Sequence, residues 1–347
     1  MSKSEMDQSP KRHASPVWWD VPAGLAILLG IFFLLSMLVW NPEKLRVNYE
    51  RVALSALDAK DYPTALVAGQ RLLGFGSSGR NEAIFILAKA KLGMGRTGDA
   101  AGLLEMIAPF DKPVFAPAHL LVAQNLIGQA DVDARTSQAI VAQLRNVLAL
   151  EPDSIDAKEL LAQVSIKRGN WLEARKHLES IVTVRPVAMF QLIDIARALG
   201  DQAVATEWAG KALLYYRTKF ESLPSPSPDD RILYGEALLQ AGDFESALRI
   251  LAAAPESDGD AASESRVAVV YRAWANAVAP SDPEAFRRQV RDLALEMASG
   301  PKPGLASVVI DAACTDWPAD ADLQKVREQI HAARQPNPPG PLKNVEP

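Results

Sequence analysis

The sequence is poor in the residues from which disulfides, metal sites and nucleic-acid surfaces are built. Its 347 residues include one cysteine, Cys314, so no intramolecular disulfide can form. The four histidines lie far apart and lack the spacing of metal ligands. Basic and acidic residues number 37 and 42 and are well mixed, whereas nucleic-acid binding needs a concentrated basic face. We therefore predict no metal site and no nucleic-acid partner.

Short motifs that mark common catalytic sites are also missing. The chain contains no G-x-S-x-G nucleophile turn, no H-E-x-x-H zinc motif and no Walker phosphate loop. Cys314 lies in the apolar stretch "DAACTDWP", which is typical of a buried structural cysteine rather than of a reactive thiol. We predict no catalytic residue, no cofactor and no enzymatic activity. The least favoured alternative is an enzyme whose site lies in residues 256–334, around Cys314 or Trp317.

One glycine-rich stretch spells the fingerprint of a dinucleotide site. Gly74-Phe-Gly-Ser-Ser-Gly79 matches G-x-G-x-x-G, and an acid, Asp99, follows twenty residues later. The motif binds a pyrophosphate only between a strand and a helix. Here "PTALVAGQRLL" precedes it and "NEAIFILAKAKLG" follows it, and both have helical periodicity. We therefore predict a turn between two repeats, where glycine supplies a positive φ.

The longest apolar stretch of the chain predicts a membrane anchor. Residues 21–40 are twenty residues without a charge, which form a helix of about 30 Å, enough to cross a bilayer. Trp18 and Trp19 flank one end and Trp40 the other, as expected of indoles at the two interfaces. The stretch is longer than a signal-peptide core and no A-x-A-like site follows it. We predict a retained single-pass anchor over 17–41, preceded by a disordered tail over 1–16.

The orientation of the anchor rests on the short N-terminal tail. Three basic residues lie on each side of the span, so the charge count is tied. A short tail before a first hydrophobic segment usually stays inside, which favours N-in and C-out. With this orientation we predict a bacterial inner-membrane protein whose C-terminal part is periplasmic. Ala26 and Gly30 form a small-xxx-small pair that predicts weak homodimerisation through the bilayer.

After the anchor, a turn residue is repeatedly followed five positions later by alanine. The pairs are Lys60/Ala65, Gly95/Ala100, Gly169/Ala174, Gly200/Ala205 and Gly242/Ala247. The alanines step by 35, 74, 31 and 42 residues, close to one or two units of about 34. Glycine ends a first helix, and the small alanine lets a second helix pack closely against it. This pattern predicts a series of helical hairpins.

Two of these units carry more of a known pattern. They are Gly169-Asn170-Trp171 with Ala174 and Pro186, and Tyr234-Gly235 with Gly242-Asp243-Phe244 and Ala247. The chain resembles the tetratricopeptide repeat (TPR) family at these residues. The resemblance implies an all-α, TPR-like solenoid of helical hairpins, with repeats over 43–255 and a degenerate helical or capping region over 256–334. The Pro-rich residues 335–347 have the composition of a disordered tail.

The resemblance also implies where a partner protein would bind. In this family the first helices of the hairpins line a concave surface that can hold a peptide or a helix. The corresponding residues here are Glu159, Gln163 and Lys167, then Phe190, Asp194 and Arg197, then Ile232, Glu236 and Gln240. We predict a membrane-anchored scaffold that binds proteins during the assembly or organisation of a membrane or envelope complex. The alternative is a membrane-tethered accessory chaperone for exported or unfolded proteins.

Overall fold

The computed structural model describes residues 25, 27–32, 42–77, 79–128, 133–253 and 261–334. Within these residues the regular secondary structure is helical, and no strand occurs. The chain divides into two compact units, Met1–Asp153 and Ser154–Pro347. We describe each unit by itself.

The described helices of the first unit pack in sequence order. They are α1 (Pro42–Asp58), α2 (Tyr62–Leu73), α3 (Arg80–Gly93), α4 (Thr97–Ile107), α5 (Ala116–Ile127) and α6 (Ala134–Leu150). Helices α1 and α2, α3 and α4, and α5 and α6 form hairpins, and α2 also packs against α3.

The second unit continues the same arrangement. Its first helices are α7 (Ile155–Lys167), α8 (Trp171–Ile181), α9 (Ala188–Ala198), α10 (Gln202–Ser222), α11 (Pro228–Ala241) and α12 (Phe244–Ala252). They are followed by α13 (Ala261–Val278), α14 (Pro283–Ala298), α15 (Pro303–Asp316) and α16 (Ala321–Arg334). Helices α7 and α8, α9 and α10, and α11 and α12 pair as hairpins, while α13 to α16 pack around a common core.

The five turns that the spacing predicted share one backbone conformation. Lys60, Gly95, Gly169, Gly200 and Gly242 all have positive φ, between 59° and 83°. In each turn two amides bond back to the preceding helix; at the third, the Gly169 N–H donates to the Ile166 carbonyl (2.9 Å) and the Asn170 N–H to Ser165 (2.8 Å). This is the Schellman arrangement that closes a helix C-terminus. The helical hairpins that the sequence predicted are therefore present at these five turns.

The five alanines of the repeat pattern lie in the interior. Each is at most 1% exposed. A larger side chain at these sites would push the second helix away from the first, since interiors are close-packed. The predicted role of these alanines as packing residues is confirmed.

The glycine-rich stretch is a turn between hairpins, as predicted. It follows α2 and precedes α3, and both Gly76 and Gly79 have positive φ (88° and 77°). Asp99, the acid that completes the fingerprint, lies in the first turn of α4 and pairs with Lys91 (3.3 Å) and Arg96. These bonds lower the pKa of the Asp99 carboxyl. The Asp99 carboxylate is thus already bound by two basic side chains of this chain.

In the α5–α6 hairpin Gly128, the residue that caps the end of α5, has a negative φ (−73°), and a buried polar cluster joins the helices. The His119 side chain is fully buried, and its Nδ1 pairs with the Gln143 Oε1. The Val114 N–H donates to His119 Nε2 (3.2 Å), and the Gln143 Nε2 donates to the Ala108 carbonyl (3.3 Å). Because Nε2 accepts the backbone N–H, Nδ1 is the ring nitrogen that donates to the Gln143 oxygen. The cluster joins the end of α4 to α5 and α6.

The last four helices pack around large aromatic side chains. Phe286 is fully buried; its ring centroid lies 4.9 Å from that of Trp274 in an edge-on contact and 5.5 Å from that of Trp317. Tyr271 packs on the same ring at 6.3 Å and donates its hydroxyl to Asp316 (2.9 Å). The repeat pattern fades in this sequence, yet the helices continue because the aromatic core holds them.

Most of the predicted anchor lies outside the described residues. Residues 27–32 are helical, and their large apolar side chains are between 48% and 71% exposed. Among the described residues no helix combines the length and the apolar character that a membrane crossing needs. Trp18, Trp19, Trp40 and Ala26 lie outside the described residues, as do the predicted tails 1–16 and 335–347.

Candidate functional site

The predicted binding residues on α7 make few contacts with one another. Glu159 is half-buried and pairs with Arg185 (3.4 Å), which also bonds Asp156 (2.8 Å). Gln163 is half-buried and Lys167 is exposed. Within the described residues, no hydrogen bond or ion pair joins these α7 side chains to the predicted residues of α9 and α11.

Four of the six predicted residues of α9 and α11, in contrast, form one connected polar row. Arg197 donates to the side-chain oxygen of Gln240 and, at 3.4 Å, to its backbone carbonyl. The Gln240 amide nitrogen donates to Glu236 (2.6 Å), and Asp194 lies 3.9 Å from Arg197. The sequence placed these four residues on one face, and the structure brings them together across two hairpins.

Phe190 and Ile232 are less exposed to solvent than residues of an open binding face. The Phe190 ring stacks on Tyr216 of α10 at 5.3 Å with an interplanar angle of 10°, and packs on the core between α9 and α10. Ile232 is half-buried in the second turn of α11. Burial raises the pKa of Tyr216 to about 12, so its hydroxyl stays protonated beside Phe190.

The carboxyl of Asp194, one of the predicted binding residues, has a raised pKa. Surrounding protein raises the pKa of its carboxyl, and the nearby Arg197 lowers it in part. Its side chain is nevertheless 69% exposed to solvent. Asp194 is therefore a weak partner for Arg197, at a distance too long for a hydrogen bond.

A cleft of about 560 Å³ opens beside Arg197, and we call it the Arg197 cleft. The first half of α10, the end of α11 and single residues of α12 and α13 line it. Its walls are made mainly of small residues: Ala205, Ala209, Gly210, Ala241, Gly242 and Ala273. Leu239 and Phe244 add larger apolar surface, and Gln202, Thr206 and Gln240 add polar groups.

Sequence reasoning found two of these lining residues, Arg197 and Gln240, and missed the rest. Ala205 and Gly242 were recognised as packing and turn residues of the repeat, and the same small size also leaves the space of the cleft open. The missed residues come from helices that are far apart in the chain. A cleft of small residues has no sequence signal distinct from ordinary helix packing.

A second, smaller cleft in this unit is strongly charged. It measures about 280 Å³ and is lined by side chains of α14 and of the start of α16, including Arg287, Arg291, Asp320 and Asp322. Arg287 pairs with Asp320 (2.9 Å), and Arg291 lies 3.6 Å from Asp322. The described lining contains three arginines and three carboxylates, so the cleft offers little net charge to a ligand.

Around Cys314 the structure contains no arrangement for catalysis among the described residues. Cys314 is buried in the aromatic core, and burial raises the pKa of its thiol. A raised pKa keeps the sulfur in its weakly nucleophilic thiol form. Trp317 packs against Phe286, and no group of three or more potential metal ligands occurs in the described part of the chain.

Comparisons with known proteins complete this description. No family model and no curated protein matches the chain. PilW, described as a widely conserved type IV pilus biogenesis factor, is 18% identical with a TM-score of 0.42, over 60% of this chain and 90% of that one. Naa15/Naa10 bound to HypK-THB is 15% identical with a TM-score of 0.38, over 82% of this chain and 44% of that one. The TPR domain of P58(IPK) is 15% identical with a TM-score of 0.24, over 83% and 88%. Values this low carry no information on partners or activity.

Proposed function

We propose that this chain is a single-pass, membrane-anchored TPR-like scaffold that binds other proteins during the assembly or organisation of a membrane complex. One helix tethers the chain, and the helical hairpins present surfaces to partners. Tethering raises the effective concentration of the scaffold near membrane complexes, so modest affinities are sufficient.

The observation that carries the proposal is the exposed apolar helical segment beside a series of packed hairpins. In residues 27–32 the large apolar side chains are about half exposed or more. Within the described residues, a Cβ added at Gly30 would meet no atom outside its own helical segment within 4 Å. Such surface is unfavourable in water and favourable in hydrocarbon, which supports an anchor over 17–41. The Ala26/Gly30 pair remains our proposal for weak homodimerisation.

The surfaces of the second unit support a role in binding proteins. The polar row of Asp194, Arg197, Glu236 and Gln240 runs across two hairpins beside the Arg197 cleft. The cleft combines apolar walls with a few convergent polar groups, which is the usual composition of a binding site. We place this unit on the periplasmic side of a bacterial inner membrane, as the short N-terminal tail favours.

The orientation is tested by labelling single introduced cysteines in intact spheroplasts with a membrane-impermeant maleimide. The one native cysteine is buried and leaves a low background. We expect rapid labelling at Leu172→Cys, which is on the exposed side of α8, and none at Ser4→Cys before permeabilisation. The reverse pattern would overturn the proposed topology.

Function is tested by chemical crosslinking of a tagged full-length chain in membranes, followed by mass spectrometry. We expect one membrane-associated partner in fixed stoichiometry. A broad, salt-resistant set of unrelated chains would overturn the scaffold in favour of the alternative, a tethered chaperone. Recovery of the chain in the soluble fraction after alkaline carbonate extraction would overturn the anchor.

A further inference from the structure

We infer that the Arg197 cleft binds a short apolar peptide segment of a partner protein and recognises an internal acidic side chain of that segment. The inference rests on the proposed function, because it names the docking site and the chemistry of the partner. It also makes a prediction that can fail while the scaffold function stands.

The charge of the cleft favours an acidic partner. Arg197 is the one charged side chain among the described lining residues. Two hydrogen bonds, both to Gln240, hold its guanidinium in place, and three of its five N–H groups make none within the described residues. Its acidic neighbour Asp194 lies 3.9 Å away, beyond hydrogen-bond distance. A carboxylate that entered the cleft would meet an oriented cation with free donors.

The remaining polar groups of the cleft are mostly engaged within the chain. The Thr206 hydroxyl donates to the Gln202 carbonyl (2.9 Å), and the Gln240 amide bonds Glu236 and Arg197. The side-chain amide of Gln202 makes no hydrogen bond in the described residues. Gln202 is the first residue of α10 and, like Arg197, lines the cleft. The cleft therefore offers a partner one cation and one free amide.

The rest of the cleft suits apolar side chains in an extended segment. From Gln202 to Gly210, α10 rises about 12 Å, the length of about four extended residues. A Cβ added at Gly210 or Gly242 would meet nothing within 4 Å, so this wall is open. Apolar surface for the neighbours of the acidic residue comes from side chains that are at least partly exposed, namely Ala241, Ala273, Leu239 and Phe244.

The test uses the full-length chain in lipid nanodiscs, labelled with ¹³C in the alanine methyl groups. Two peptide probes are titrated: acetyl-Ala-Leu-Glu-Leu-amide and its lysine counterpart, acetyl-Ala-Leu-Lys-Leu-amide. We expect the methyl resonances of Ala205, Ala209, Ala241 and Ala273 to shift, with a Kd of about 1 mM for the glutamate peptide. The lysine peptide should bind at least about tenfold more weakly, because it lacks the charge-assisted bonds to Arg197.

Two pairs of variants isolate the features that the inference uses. Arg197→Gln should remove the preference for glutamate, whereas Arg217→Gln, an exposed arginine farther along α10, should keep it. Gly210→Leu should fill the cleft and weaken binding about tenfold. Gly102→Leu is the matched control, since both glycines are helical, exposed and without neighbours within 4 Å.

The inference is overturned if both peptides bind equally to the unmodified chain, or if the four methyl groups stay unshifted up to about 10 mM peptide. It is also overturned if crosslinking in membranes recovers the same partner at the same yield with Arg197→Gln and Gly210→Leu. In that case the scaffold function stands and uses another surface. If the unmodified chain recovers no stoichiometric partner, the scaffold function itself fails.

Discussion

The hairpins whose turn residue has a positive φ differ from the other helices in what holds them together. The first kind closes locally, with two backbone hydrogen bonds and a buried alanine five residues later. The α5–α6 hairpin instead depends on the His119–Gln143 cluster, and α13 to α16 depend on the Phe286 core. The loss of a repeat signature in a sequence therefore does not mark the end of the fold, because longer-range contacts take its place.

The largest effect is expected where the signature is absent and the core is aromatic. Phe286→Ala removes a fully buried ring between Trp274 and Trp317 and should lower the free energy of unfolding by about 3–5 kcal/mol. Urea unfolding followed by tryptophan fluorescence measures this, since both tryptophans report from the same core. Phe110→Ala, at a site that is 61% exposed, should change it by less than about 0.5 kcal/mol. Equal losses would contradict the assignment of the core.

A smaller effect is expected at the buried polar cluster. His119→Leu leaves the Val114 N–H and the Gln143 Oε1 without their partners and should cost about 1–3 kcal/mol. Hydrogen exchange of peptides that cover α5 and α6 gives the local measurement. His331, which pairs with Asp311 near the surface, is the control; His331→Leu should cost less than about 1 kcal/mol. If exchange in α5 and α6 stayed at its original rate, the cluster would not hold this hairpin.

Substitutions at the glycine turns should change stability through the backbone angle φ, since they remove no side-chain contact. Gly169 has a φ of 71° and open space around it, so Gly169→Ala should destabilise the α7–α8 hairpin by about 1 kcal/mol through backbone strain alone. Gly102 is a helical glycine with equally open surroundings, and Gly102→Ala should instead stabilise α4 by up to about 1 kcal/mol. Denaturation of both variants tests the opposite signs, and a shared sign would refute the role of φ.

The smallest effect concerns a connection between hairpins. The hydrogen bond from Lys219 and then the bonds with Ser227 lower the pKa of Asp230 from 3.8 to about 2. A lowered folded-state pKa gives stability that is present above the ordinary pKa and is lost as the pH falls through about 2. Asp230→Asn should therefore lower the unfolding free energy by less than about 1 kcal/mol at neutral pH, since Lys219 is largely exposed.

The pH profile distinguishes this ion pair from a general effect of removing charge. The difference between Asp230→Asn and the unmodified chain should shrink as the pH is lowered from about 5 to about 2. Asp229→Asn, one residue earlier in the same turn, should differ little from the unmodified chain at any of these pH values. If the difference in unfolding free energy between Asp230→Asn and the unmodified chain stayed constant with pH, the charge of the Asp230 carboxylate would not contribute to stability.

The sequence predicts those features of the fold that depend on residues close together in the chain. A positive φ at Gly169 or Gly242 and a buried alanine five residues on leave a pattern that can be read along the chain. The Arg197 cleft cannot be read in this way, because its walls come from α10, α11, α12 and α13. The same holds for His119 and Gln143, which are 24 residues apart and become partners only when α5 and α6 pack.

The unequal steps between the repeat alanines also have a consequence for how such a chain can change in evolution. The 74-residue step covers two repeats, so the longest step over one repeat is the 42 residues between Ala205 and Ala247. This step is long because α10 extends to Ser222 and a short connection precedes α11. The turn at Gly242 keeps the same two hydrogen bonds as the other four. The extra length thus lies in the second helix of a hairpin and in the connection after it, while the turn inside the next hairpin is unchanged. Insertions, tags or grafted loops therefore belong at residues 223–227.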